Sequence, residues 1–334
     1  MHFRSFWVIA ALFASVIVFT GASGIDAEKS KYVRPDQIPF PKDNPYTPNK
    51  AALGKALFFD PRLSGNEDLS CASCHNPSFG WESSSVTNTG AQKTRLGRNS
   101  PTVLNTAWQE HYFWDGRAKT AEEQARGPIE ADVEMNLPMR EAVRRLKNVD
   151  GYVDWFDQVF PGQGITEANI VKAIATFERT VVASHAPFDR WVEGDERAIS
   201  EAAKRGFELF IGKAKCADCH GGWNFTDHKF HDIGTTFTDL GRYAVDSSSI
   251  KNKFAFKTPT LRDTAQRAPY MHNGQWDTLE AVMVHYISGG LDRPSRSNLM
   301  RPLQLTDNEV KDLVEFMKTL TGEKKTVPLP ILPN

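Results

Sequence analysis

Two copies of one short pattern contain all the cysteines of the chain. The pattern is Cys-x-x-Cys-His, and its residues are Cys71, Cys74 and His75 in one copy and Cys216, Cys219 and His220 in the other. Two thiols about one helical turn apart lie on one side of a helix, and the next residue places an imidazole beside them. This spacing is the attachment motif of c-type haem, in which the thiols add to porphyrin vinyl groups and the histidine binds iron. The sequence therefore predicts two covalently bound haems c.

Other uses of paired cysteines exist and have to be weighed against haem. They are a disulfide, a thioredoxin-like redox pair and half of a zinc site. None of these uses requires a histidine directly after the second cysteine, and here that residue is present twice. Because the two motifs also account for all 4 cysteines among 334 residues, haem attachment is favoured.

The composition indicates a globular protein with room for two domains. Hydrophobic residues make up 40% of the 334 residues, enough for a sizeable core. The formal net charge of −1 argues against nucleic acid or an anionic membrane as the partner.

The first 24 residues are predicted to be a signal peptide. His2 and Arg4 precede an apolar run at residues 6–19, which is followed by small residues at 20–24. The run is short for a membrane span, although an uncleaved anchor is the alternative. Because c-type haem is attached outside the bacterial cytoplasm, the predicted location is the periplasm.

Apolar residues at helical spacing precede each motif and point to a repeated unit. Ala52, Leu53, Ala56 and Leu57 lie before the first motif, and Ala203, Gly206, Phe207 and Phe210 lie before the second. The capping-box spacing at residues 120–123 predicts the start of a short helix, and further helices are predicted at 139–146, 168–182 and 278–288 and from 306 to near 322. Strand patterns are few. The predicted fold is mostly α, with two cytochrome c-like domains (25–195 and 196–334), each carrying one haem among long loops. The tail beyond residue 327 is predicted to be loosely ordered.

Several further runs resemble the bacterial di-haem cytochrome c peroxidase/MauG family across nearly all of the predicted mature chain. The matching runs cover residues 98–105, 113–117, 124–129, 134–135, 257–262 and 268–274. The resemblance implies a peroxidatic haem in the N-terminal domain, an electron-transfer haem in the C-terminal domain, and a calcium ion between them.

The resemblance also assigns roles to residues at matching positions. His75 and His220 are then the proximal iron ligands, Trp114 lies between the haems, and Gln124 and Glu134 form the distal pair. The calcium ligands are Asn99 and the backbone carbonyls of Arg267 and Pro269. Cleavage of a peroxide O–O bond needs a group that moves a proton, and Glu134 suits this role if burial raises its pKa. Without the resemblance, Glu134 would be read as a solvated loop carboxylate.

The chain departs from the reductively activated peroxidases at the position of a loop histidine. In those enzymes the histidine lies sixteen positions after the first haem histidine and occupies the peroxidatic iron, and here that position is Ala91. The iron at His75 is therefore predicted to be five-coordinate and open in the oxidised state, as in the MauG subgroup.

A second departure concerns the sixth ligand of the C-terminal haem. The methionine of the peroxidases lies fourteen positions after the histidine matching His272, and here that position is Tyr286. Met283 is the main rival because it is three positions away on the same predicted helix face. Met271 and Met300 are further candidates. A phenolate stabilises ferric iron, whereas a thioether favours ferrous iron.

These features predict a periplasmic di-haem oxidoreductase that uses hydrogen peroxide. In MauG-like proteins the electron donor is a partner protein whose tryptophan is modified, and Trp223 or Trp276 are candidates for the surface residue that exchanges electrons with it. The alternative is a peroxidase that takes electrons from a small cytochrome c or a copper protein. A non-catalytic electron carrier is the third interpretation.

Overall fold

The computed structural model describes residues 24–235 and 238–334, and the fold is mostly α with two cytochrome c-like domains, as predicted. Residues 1–23 of the predicted signal peptide lie outside the described residues. Within the described ranges, no helix is long and apolar enough to cross a membrane.

The described residues form twelve α-helices, eight short 3₁₀ helices and one small sheet. The α-helices are α1 (Gly24–Lys29), α2 (Pro48–Phe58), α3 (Cys71–Cys74), α4 (Ala121–Glu130), α5 (Met139–Lys147), α6 (Asp150–Val159), α7 (Glu167–Thr180), α8 (Pro187–Val192), α9 (Glu201–Ile211), α10 (Ala217–His220), α11 (Leu279–Ser288) and α12 (Asp307–Lys318). The 3₁₀ helices are Ser30–Tyr32, Pro61–Leu63, Pro77–Phe79, Ala91–Lys93, Thr106–Trp108, Arg242–Ala244, Ile250–Asn252 and Thr264–Gln266. Strands β1 (Phe230–His231) and β2 (Phe256–Lys257) pair antiparallel, with Phe230 opposite Lys257.

The helices predicted from apolar spacing are confirmed as α2, α4, α5, α7, α9, α11 and α12. Side-chain caps fix several of their N-termini: the hydroxyl oxygens of Thr120, Thr278 and Thr306 accept hydrogen bonds from the backbone N–H three residues later. Helices α6 and α8 were not predicted.

Each haem motif follows a helix that crosses another helix at a glycine. Gly54 of α2 lies against α7, where an added Cβ would come within 1.9 Å of the carbonyl oxygen of Ala173. Gly206 of α9 lies against α12, where an added Cβ would come within 2.0 Å of the carbonyl oxygen of Asp312. Both crossings need a residue without a side chain so that the two backbones can touch. The repeated geometry agrees with two similar domains.

Two large apolar clusters form most of the core of the described residues, beside a small third one around Tyr112 and Ala121, and the chain crosses between the two large ones at both ends. The N-terminal cluster is built mainly from α2, α5, α6 and α7, and the C-terminal cluster mainly from α8, α9 and α12. Tyr32, only 2% exposed, packs in the C-terminal cluster with Phe188 and Phe207. In the other direction, Val327 and Leu332 of the tail pack against the N-terminal cluster. The tail is thus not loosely ordered there, while the domain boundary at 195/196 stays a prediction.

Candidate haem sites

The first motif lines a cavity in the N-terminal half of the molecule. Helix α3 is a single turn that places Cys71 and Cys74 on the wall of this first cavity, next to His75. The Nδ1 atom of His75 lies 3.3 Å from the carbonyl oxygen of Trp81. Because a carbonyl oxygen only accepts, Nδ1 carries the proton, and Nε2 keeps its lone pair for a metal. Burial also lowers the pKa of His75, which favours the neutral imidazole that iron binds.

The second motif repeats this arrangement in the C-terminal half. Cys216, Cys219 and His220 line a second cavity, and the Nδ1 atom of His220 lies 2.9 Å from the carbonyl oxygen of Phe225. Burial lowers the pKa of His220 as well. Both histidines are therefore oriented by a backbone carbonyl so that Nε2 is the ligating atom.

The residues around both cavities fit a haem group. All four cysteines are free thiols, so a disulfide does not explain them. In the second cavity, His272 is 4% exposed, and its Nε2 atom is buried without a partner among the described residues. A buried unpaired nitrogen costs free energy unless a bound group satisfies it. These observations agree with a porphyrin that binds through the motif and fills the cavity beside His272.

Gln124 and Glu134, the predicted distal pair, both line the first cavity. Gln124 belongs to α4, where Pro128 lacks the N–H that would otherwise bond the carbonyl of Gln124. Glu134 follows α4, and its backbone carbonyl accepts a hydrogen bond of 2.7 Å from the N–H of Ala91. Burial raises the pKa of Glu134, an effect that the nearby charge of Arg117 opposes. The catalytic roles of both residues stay predictions.

Among the described residues, no histidine other than His75 lines the first cavity. Ala91 begins a 3₁₀ helix that packs against the Glu134 segment, and it is 7% exposed. The position that would hold the plugging histidine therefore lies beside the distal pair and carries only a methyl group.

Trp114 lies between the two cavities and lines both of them. Its indole N–H donates to the carbonyl oxygen of Asn99 at 2.8 Å, and its own carbonyl accepts from the N–H of Lys257 at 2.8 Å. The ring is edge-on to His272, with 6.4 Å between centroids, and His272 stacks on Phe256 at 3.6 Å. The backbone contacts thus hold the indole at the junction of the cavities, and its role in electron transfer between the haems stays a prediction.

All four candidates for the sixth ligand line the second cavity: Tyr286, Met283, Met271 and Met300. The Tyr286 hydroxyl has no hydrogen-bond partner within the described ranges, so a backbone partner does not explain its orientation. Met283 is 4% exposed and packs within the C-terminal cluster. Burial raises the pKa of Tyr286, so iron would have to displace the phenolic proton. The choice of Tyr286 stays a prediction.

Comparison with known proteins agrees with this geometry. The family model described as "Di-haem cytochrome c peroxidase" matches residues 48–197, and the model "Cytochrome c" matches residues 203–321. "Methylamine utilization protein MauG" of Methylorubrum extorquens is 51% identical over 310 residues, which cover 92% of this chain and 88% of the relative. The chain belongs to the di-haem cytochrome c peroxidase/MauG family. It is accordingly a di-haem oxidoreductase with two haems c.

Other members of the di-haem peroxidase/MauG family are also similar to this chain over most of its length. The methylamine utilization protein MauG of Methylophilus methylotrophus is 46% identical and covers 92% of both chains. Cytochrome c peroxidases match at 34% to 37% identity. The crystal structure of "a MauG-like protein associated with microbial copper homeostasis" superposes with a TM-score of 0.81 at 31% identity, covering 88% of this chain and 94% of that one.

The three residues predicted to bind calcium in this family member all line the second cavity. The amide nitrogen of Asn99 donates to the carbonyls of Ser85 and Val86, at 3.1 and 3.3 Å. Because the amide nitrogen is used in this way, the side-chain oxygen of Asn99 is the atom left for a cation. The guanidinium of Arg267 pairs with Glu82 and carries a positive charge. Only the backbone carbonyl of Arg267 is therefore available to a cation.

Two buried carboxyl groups on the cavity walls were not singled out in the sequence. Glu82 lines both cavities and pairs with Arg267 at 2.5 Å. Glu178 of α7 lines the first cavity, and burial raises its pKa to about 8. Neither residue lies in a sequence pattern that distinguishes it from a surface carboxylate. The packing of α7 buries Glu178, and the loop that carries Arg267 buries Glu82.

A cluster of Cys219, Asp227 and His231 has ligand atoms within 4.8 Å of one another. The Nε2–H of His231 donates to the Asp227 carboxylate at 2.8 Å, and its Nδ1 lies 3.1 Å from the hydroxyl of Ser297. Asp227 raises the pKa of His231 to about 9 against the effect of burial. Since Cys219 belongs to the haem motif, this cluster is part of the haem surroundings rather than a separate metal site.

Proposed function

We propose that the protein is a periplasmic di-haem enzyme that uses hydrogen peroxide to oxidise a partner protein by long-range electron transfer. The observation that carries this proposal is the first cavity, which brings Gln124 and Glu134 together and contains no second histidine among its described lining residues. An open iron face beside a proton-transfer group is what peroxide chemistry needs.

A haem bound through His75 would supply the redox chemistry of O–O bond cleavage, including the two electrons that this step takes up. Glu134 would take a proton from one oxygen of the peroxide and give it to the other, which leaves as water. Gln124 would hold the peroxide by hydrogen bonding. His75, oriented by the Trp81 carbonyl, would bind the iron through Nε2.

Trp114 and Tyr286 connect this chemistry to the second cavity. The indole of Trp114 lines both cavities, so an electron can move between them over short steps. Tyr286 is proposed as the sixth ligand, whose phenolate favours the oxidised states of iron. Asn99, with the carbonyls of Arg267 and Pro269, is proposed to hold a calcium ion next to this junction. Carbonyl and amide oxygens are the ligands that calcium prefers.

Trp276 is better placed than Trp223 to exchange electrons with the partner protein. Its ring lies 4.6 Å from His285, and the His285 ring lies 5.7 Å from Tyr286, so three aromatic rings lead from the second cavity towards the partly exposed Trp276. Trp223 instead packs edge-on against Trp108 at 4.8 Å. An indole that loses one electron to the oxidised site and a proton to solvent leaves a radical that can oxidise a protein bound at this surface.

A cytochrome c peroxidase that draws electrons from a small cytochrome c or a copper protein is the alternative. Known peroxidases match this chain at lower identity than the two MauG proteins do. Replacement of the plugging histidine by Ala91 also argues against it. A simple electron carrier would need a second protein ligand on the His75 iron, which the first cavity does not offer as a histidine.

The test is to add hydrogen peroxide to the fully oxidised protein without prior reduction and without a donor. We expect rapid loss of peroxide and a change in the absorption of both haems. Peptide mapping afterwards should show oxygen added to Trp276 in preference to Trp223, because a hole without a donor is trapped at its exit. If the protein reacts with peroxide only after one haem has been reduced, the result would instead support the peroxidase. Oxidation confined to Trp223 would identify Trp223 as the residue that exchanges electrons with the partner.

A further inference from the structure

Lys257 lies at the junction of the two cavities and is held there by backbone contacts. It is the second residue of β2, and its N–H donates to the carbonyl of Trp114 at 2.8 Å. Its side chain lines both cavities. The ammonium group donates to the side-chain oxygen of Gln109 at 2.7 Å, and Gln109 lines only the first cavity. The charge therefore points towards the haem of the N-terminal half.

The charge of Lys257 has no carboxylate partner within 4 Å among the described residues. The buried arginines each have one: Arg262 pairs with Asp189, Arg267 with Glu82, Arg293 with Asp232 and Arg179 with Glu122. Lys50 also lacks a carboxylate but donates to two oxygens, those of Asn44 and Pro45. Lys257 has one acceptor for three N–H groups.

This arrangement is costly unless an anion binds there. Burial lowers the pKa of Lys257 to about 8, with no acidic residue opposing that effect. The side chain is half-buried. A charge held partly away from water without a counter-charge lowers the stability of the fold unless an anion binds beside it. Lys257 lines a cavity that fits a haem, and haem brings two propionate carboxylates of its own.

We propose that Lys257 binds a propionate of the haem attached at Cys71 and Cys74. A residue of the C-terminal half then supplies the counter-charge for the haem of the N-terminal half, next to Trp114. Its positive charge raises the reduction potential of that haem, because ferric iron carries one more positive charge than ferrous iron. The assignment rests on the two-haem enzyme proposed above but not on its reaction with peroxide.

The test compares Lys257→Met and Lys257→Arg with the parent protein, each carrying two haems by a haem-content assay. In Lys257→Met we expect the ferric-to-ferrous equilibrium of the first haem to shift about tenfold towards ferric, or about 59 mV for one electron. The propionate bending band in the resonance Raman spectrum should move as its hydrogen bond is lost. Lys257→Arg should retain the parent potential and band.

Lys251 provides the control because it is an exposed lysine of the same half, bonded to the carbonyl of Arg296. Lys251→Met should change neither readout. The proposal is overturned if Lys257→Met, with both haems attached, leaves the propionate band in place and shifts the equilibrium less than twofold. A shift confined to the second haem would overturn it equally. Either result would be compatible with the proposed reaction with peroxide, which the experiment above tests separately.

Discussion

Replacing Glu134 by glutamine is expected to slow the reaction of the oxidised protein with hydrogen peroxide by about 10²- to 10⁴-fold. Glutamine keeps the size of the side chain in the first cavity but accepts no proton. The rate constant is measured by stopped-flow absorption of the haems. Asp132→Asn is the control, because Asp132 is an exposed carboxylate in the same segment and should leave the rate unchanged.

The pH dependence gives a second readout for Glu134. Burial raises the pKa of this carboxyl, and the base that accepts the peroxide proton is the ionised form, present only above that pKa. The rate should therefore fall as the pH decreases, over a range above that of an exposed glutamate. Glu134→Gln should remove this inflection. An inflection that survives in the variant, or a variant that reacts at the parent rate, would assign the proton transfer to another group.

Replacing Tyr286 by phenylalanine is expected to abolish the signal of the low-spin haem entirely. Phenylalanine fills the same space in the second cavity but offers no ligand, so the iron should become high-spin. The loss of a phenolate should also raise the reduction potential of this haem by more than about 59 mV, a tenfold change in the ferric-to-ferrous ratio. Electron paramagnetic resonance and spectroelectrochemistry measure the two effects.

Met283→Leu provides the matched variant for Tyr286. Leucine conserves the apolar packing of Met283 in the C-terminal cluster and removes only the thioether. If Tyr286 is the ligand, Met283→Leu should keep the low-spin signal. A low-spin signal lost in Met283→Leu and kept in Tyr286→Phe would make Met283 the ligand.

The parts of the molecule that were predicted best depend on patterns between residues close in sequence. The haem motifs need only a fixed spacing of cysteine and histidine. Helices α2 and α9 were predicted from apolar residues at helical spacing. Helix α6 was not predicted, although its buried residues Tyr152 and Phe156 are four positions apart, the spacing of one helix face.

The features that were not predicted depend on contacts between distant segments. The tail reaches the N-terminal cluster as an extended chain, which has no periodicity to read. Lys257 and Glu82 meet the cavities only because β2 and the Arg267 loop of the C-terminal half fold against the N-terminal half. A two-residue strand gives no pattern, and a half-buried lysine on a cavity wall runs against the usual preference of that residue for solvent.

The central claim is that one iron keeps a free face while the other is fully ligated, and the electron paramagnetic resonance spectrum of the untreated, fully oxidised protein tests it most directly. The account predicts equal amounts of one high-spin and one low-spin ferric haem. Two low-spin signals would show a protein ligand on both faces of the His75 iron and would contradict the account.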